Sequence, residues 1–177
     1  MAENKKTLTV TLEVKELMYD IKNKAYLTGQ AREAAGTNYE EASNMQASDD
    51  DDNSYQLRRS LGNAFATLKS VLGEYLDESK TSTDNLLSTA VESDGQLKLA
   101  FKLPSNYNSA SSDSLGNGIH AYLVDTALAE WFTITNKADA KDYVEHGAAS
   151  LEVVKRALYK RSRPARPTYL SSPDGKL

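Results

Sequence analysis

NLLSTAVESDGQLKLAFKLP, residues 85–104, is the stretch whose reading decides the fold. Two apolar-rich runs flank Ser93-Asp94-Gly95, and Asp-Gly is the dipeptide that most readily supplies the positive-φ residues of a tight hairpin turn. The second arm alternates: Leu97, Leu99, Phe101 and Leu103 share one face, and Lys98, Ala100 and Lys102 the other. The spacing predicts a hairpin with strands near 85–92 and 96–103, one face of which must be covered. An isolated hairpin is marginal in water, so the cover has to come from flanking helices and a third strand.

Working outward, residues 7–14 read TLTVTLEV, with Leu8, Val10, Leu12 and Val14 alternating against Thr7, Thr9, Thr11 and Glu13, and predict that third strand. From Val14 the period changes, because Leu17, Met18, Ile21 and Ala25 recur at helical spacing and predict a helix near 15–35 that ends by Gly36. Tyr19 and Tyr26 sit off its stripe, where they either face a partner or lie against the core rim. A second helix is expected near 55–78, with Ser54 as its cap and Leu57, Leu61, Phe65, Leu68, Leu72, Tyr75 and Leu76 as its stripe. A polar linker follows Pro104. Two further helices are expected near 115–132 and 137–160, the last with a stripe of Ala140, Tyr143, Val144, Ala148, Leu151, Val154 and Leu158. Only Thr133, Ile134 and Thr135 separate them, so they pair antiparallel. The expectation is an α+β fold in which a small antiparallel sheet is covered by about four helices, within one domain over 1–160.

Composition narrows the chemistry. The 177 residues suffice for one sizeable core. No run reaches the roughly 18 apolar residues of a membrane helix, so membrane insertion is not expected. The opening MAENKKTLTV lacks the apolar segment of a secretory signal. The absence of cysteine excludes disulfides, thiol catalysis and thiolate metal sites. His120 and His146 are the only histidines; His120 falls beside Asp113 and Asp125, and His146 follows Glu145. No spacing forces them together, and there is neither a nucleophile elbow nor a phosphate loop. No catalytic residue, metal or cofactor is expected.

Charge is what remains to be explained. Residues 155–177 carry seven basic groups against Asp174, a net +6, so the rest of the chain carries −10 within the total of −4. Residues 37–53 contain no Lys or Arg but hold Glu40, Glu41, Asp49, Asp50, Asp51 and Asp52. Repulsion between them predicts an exposed acidic loop, with at most a short capped turn from Asn38 to Glu41. A calcium loop would need a central glycine and a closing glutamate, and both are missing. At the other end, residues 161–177 form a basic, proline-containing arm in which Pro164 and Pro167 hold the chain extended. The candidate partner-binding residues are therefore Asp49, Asp50, Asp51 and Asp52 on the loop, and Arg156, Arg161, Arg163, Arg166 and Tyr169 on the tail. The arginines with Tyr159 and Tyr169 would also suit nucleic acid.

The short sheet with helices, the lack of cysteine and the arginine-proline tail after an amphipathic helix resemble small connector or tail-assembly proteins of tailed bacteriophages, particularly those infecting gut Bacteroidales. The resemblance lies in general plan and carries over no functional residues. It implies a structural subunit of a homo-oligomeric virion assembly, made in the host cytoplasm, at the head–tail connector or tail, whose partners are copies of itself and other virion proteins. The alternative is a small nucleic-acid-associated accessory protein that binds through its basic tail.

Overall fold

The computed structural model describes residues 5–48, 50–82 and 95–164. Strand β1 (Lys6–Glu13) runs directly into helix α1 (Val14–Ala34); α2 (Tyr39–Met45) and α3 (Asp51–Val71) follow, then strand β2 (Gln96–Leu103), α4 (Ser112–Thr135) and α5 (Lys137–Tyr159). Over the described residues the fold is α+β, a two-stranded antiparallel sheet packed against five helices. The predicted strand at 85–92 and its turn fall outside the described residues, apart from Gly95.

β1 and β2 pair directly, with Leu8 opposite Phe101, Val10 opposite Leu99 and Leu12 opposite Leu97. The alternation seen in the sequence therefore puts both apolar rows on one face. That face is unevenly covered: Leu97, Leu99, Phe101 and Leu103 are buried, while Leu8, Val10 and Leu12 are only half-buried.

α4 is the centre of the molecule. Leu115, Ile119, Leu123, Ala127, Leu128 and Phe132 are fully buried, and Tyr122, Val124 and Trp131 nearly so, which leaves the helix enclosed on almost every side. Burying one such large side chain contributes roughly 1.5–3 kcal/mol, so this helix gathers α1, α3 and α5 around it. α5 lies closest. A β-carbon on Gly118 would stand 3.0 Å from Val154 Cγ2, and one on Gly147 would stand 3.3 Å from Thr126 Oγ1. Gly147 thus takes a place in the buried stripe of α5, and the stripe predicted from sequence is corrected: Val144 and Ala148 face solvent.

Four other expectations are corrected. Residues 37–53 are not one loop, because Tyr39–Met45 form α2 and residues 51–53 open α3. Asn38 Oδ1 accepts from the Glu40 amide (3.4 Å) to start α2, and the Trp131 indole N–H donates to the Met45 carbonyl (2.9 Å), tying the end of α2 to α4. The third helix begins at Asp51, not Tyr55, because carboxylates in the first turn favour the positive pole of a helix. Ser54 does not cap it; its hydroxyl accepts from Lys22 Nζ (2.9 Å). That helix also stops at Val71. After a 3₁₀ turn over Gly73–Tyr75 the chain reaches β2, where Leu76 bridges Phe101. α1 ends as predicted at Gly36, whose φ of 98° lets the Thr37 amide return to the Arg32 carbonyl.

Candidate functional site

The basic end is built by the exit from α5. The Asn108 amide donates to the Lys160 carbonyl (3.1 Å) and the Ser162 amide to the Asn106 carbonyl (2.8 Å), so the first residues of the arm lie back along the loop before α4. Arg161 Nη1 donates to the carbonyls of Leu158 (2.7 Å) and Lys160 (3.2 Å), groups that a helix end leaves without partners. Arg156 and Arg163 are exposed and form no ion pair among the described residues. Tyr159 is exposed and meets Tyr75 edge-on with ring centroids 5.8 Å apart. The Tyr75 hydroxyl is pushed up to about 12, first by the neighbouring Tyr159 hydroxyl and then by burial. Beneath the arm Tyr107 is buried with its hydroxyl unpartnered among the described residues, and burial raises that group above its ordinary value. Arg166 and Tyr169 lie outside the described residues.

The acidic end is the start of α3. Asp50 occupies the N-cap position, where its Oδ2 accepts from Ser48 Oγ (2.8 Å), and Asp51 and Asp52 form the first turn. All three are exposed, and none forms an ion pair among the described residues. Asp49 lies outside the described residues.

Sequence reasoning sought these two clusters but not their separation. The 21 residues of α3 extend about 31 Å at the helical rise of about 1.5 Å per residue. Asp51 opens this rod, while Tyr75, just beyond its far end, touches Tyr159 at the end of α5. The exposed aspartates and arginines therefore stand at opposite ends of the molecule and do not neutralise one another.

A third polar feature was missed. Asp20, Lys24, Thr28 and Arg32 recur every four residues along α1 and meet the neighbouring helices in turn. His120 Nε2 lies 2.7 Å from Asp20 Oδ2, and Lys24 Nζ donates to Asp125 Oδ1 (2.9 Å). Thr28 Oγ1 is 3.0 Å from Tyr143 Oη, and Arg32 forks onto both oxygens of Asp139, through Nε at 3.0 Å and through Nη2. His120 is thus paired across to α1, not with Asp113 or Asp125. Asp125 and Asp139 are each only 6% exposed, so each needs its cation. Hydrogen bonding to Asp139 and its charge hold the Arg32 guanidinium above its ordinary value. Period-four polar positions next to an apolar stripe were a signal in the sequence, but the partners lie about a hundred residues away.

Beside this seam runs a groove of about 560 Å³ lined by Lys24, Leu27, Thr28, Arg32, Tyr143 and His146. Its two cations and their carboxylates are committed to each other, and the Tyr143 ring stacks on Phe132 and meets His146 edge-on. The arrangement is suited to holding helices in register. Among the described residues no three His, Asp or Glu side chains converge as metal ligands, and no helix is long and apolar enough to cross a membrane. Compared with protein-family models, curated proteins and solved structures, the chain matches none.

Proposed function

We propose that the protein is a structural subunit that joins copies of itself head to tail, the acidic end of one meeting the basic end of the next. The observation that carries this reading is the placement of exposed Asp50, Asp51 and Asp52 about one α3 length from exposed Arg156 and Arg163, with no ion pair at either end among the described residues. Two different patches on one subunit make a heterologous interface, which closes into a ring or continues as a filament. Complementary charge fixes register and partner choice at such a contact more than it adds affinity. The resemblance to phage connector and tail-assembly proteins extends the proposal to a virion, at the head–tail connector or tail. The nucleic-acid reading is the weaker one, since Arg161 is turned onto its own helix carbonyls and the other end of the body is acidic.

Charge reversal tests the proposal. Asp51→Lys with Asp52→Lys should abolish every oligomer larger than a dimer in native mass spectrometry, and Arg156→Glu with Arg163→Glu should do the same. Mixing the two variants should restore an oligomer of alternating subunits, because each reversed end then meets its complement. Assembly beyond a dimer that persists in both variants rejects head-to-tail joining. A DNA affinity that falls steeply with salt and is lost with the arginines would favour the accessory-protein reading.

A further inference from the structure

Among the described residues nothing covers the outer edge of β1. The Val14 amide donates to the Gly95 carbonyl (3.0 Å), and hydrogen bonding alternates along an antiparallel strand. Lys6, Leu8, Val10 and Leu12 therefore address β2, and Thr7, Thr9, Thr11 and Glu13 turn their backbone groups outward. The far side of β2 confirms this parity, since Lys98 and Ala100 bond the connector at 77–82 instead of β1. Among the described residues the outward groups of Thr7, Thr9 and Thr11 have no partner, while the Glu13 carbonyl opens the hydrogen bonding of α1. Edge strands are ordinarily protected by a proline, a bulge or an inward charge. β1 has none of these: its register is continuous over Lys6–Glu13, and Leu8, Val10 and Leu12 point inward.

We propose that β1 pairs antiparallel with β1 of a second copy, making one four-stranded sheet across a two-fold axis at Thr9. Only a same-face register joins the two half-buried apolar rows, and the one centred on Thr9 employs every outward residue. Thr9 lies opposite its own copy, Thr7 lies opposite Thr11, and Lys5 lies opposite Glu13. The ends of the strand thus carry complementary charge, and the middle carries threonine pairs that favour cross-strand contact. Leu8 comes opposite Val10, extending the cover over residues that the single chain leaves half-buried. The arm is a poorer occupant of this edge, because Pro164 and Pro167 remove amide donors. This contact is independent of the charged ends, so either can fail without the other.

The chain has no cysteine, so a single introduced thiol reports on the pairing. Across the axis the Thr9 Cα atoms would be about 5.5 Å apart, inside the range of roughly 4.4–6.8 Å that a disulfide spans. The two Thr7 Cα atoms would be about 14 Å apart at about 3.4 Å per residue. Under mild oxidation in 0.5 M salt, a concentration (about that high) that screens exposed charges, Thr9→Cys should become a covalent dimer and Thr7→Cys should remain a thiol. Thr9→Pro deletes only an outward amide and should give a monomer in the same salt with its circular dichroism unchanged. If Thr9→Cys stays reduced, or cross-links no faster than Thr7→Cys, the pairing is wrong. A folded Thr9→Pro that is still dimeric also overturns it; should that variant not fold, the cysteine pair decides.

Discussion

On its outer side β2 receives the Asp77 amide at the Ala100 carbonyl (2.7 Å) and the Ser82 amide at the Lys98 carbonyl (2.8 Å), whereas β1 offers Thr7, Thr9 and Thr11 to no described residue. The cover of β2 is not a regular strand. Where strand amides would need acceptors, Ser82 Oγ takes the Lys98 N–H (3.0 Å) and Thr81 Oγ1 takes the Ala100 N–H (3.2 Å), so two hydroxyls stand in for carbonyls. Asp77 pins this connector by accepting from Ser79 Oγ (2.7 Å) and pairing with Lys102 Nζ (3.1 Å). One edge is thus completed within the chain, and the other retains capacity for a partner. Local side-chain chemistry can finish a sheet as well as another strand does, provided every amide finds an acceptor.

The widest contrast should come from residues facing each other across the ladder. Phe101→Ala, on the covered strand and 1% exposed, should cost about 3–5 kcal/mol in urea unfolding. Leu8→Ala, its half-buried partner on β1, should cost about 1–2 kcal/mol in the isolated chain. Equal losses would show that β1 is already covered.

The next contrast concerns the hydroxyls. Thr81→Val leaves the Ala100 amide without its acceptor and should destabilise by about 1–2 kcal/mol, with faster hydrogen exchange at Ala100. Thr11→Val, on the open edge, should stay within about 0.5 kcal/mol.

Acid should act on the covered edge. The Ser79 hydroxyl first, and Lys102 with it, hold the Asp77 carboxyl below its ordinary value. A depressed carboxylate stabilises the fold above its unfolded value, about 3.9, and that contribution disappears as pH falls through the lower folded value. Thermal unfolding of Asp77→Asn should therefore show a shallower acid limb than the parent chain below about pH 4. An unchanged limb would mean that Asp77 does not pin the connector.

Much of this architecture was legible because local pattern and burial agree. Leu97 to Leu103 alternate, and the pleat places them on one face; Leu115, Ile119, Leu123 and Ala127 recur at helical spacing, and α4 buries them. The acidic segment misled because charge repulsion was weighed without the helix pole that Asp51 and Asp52 occupy. Leu76 misled because it continues a helical stripe yet joins the sheet, where Phe101 waits for it. Of the candidate site, the identity of the charged residues was readable. Their separation was not, since it depends on the direction in which α3 runs.

What the sequence by itself determined is most of the elements: β1 and β2 from period two, the helices other than α2 from period three to four, and the stop at Gly36, where a residue that tolerates positive φ was required. These depend on interactions within a few residues. What only the tertiary structure decided is which groups meet: Asp20 with His120, Arg32 with Asp139, Thr81 with Ala100, and the β1 edge with nothing described. Such pairings join residues as much as about a hundred positions apart, and they are selected by how whole faces pack.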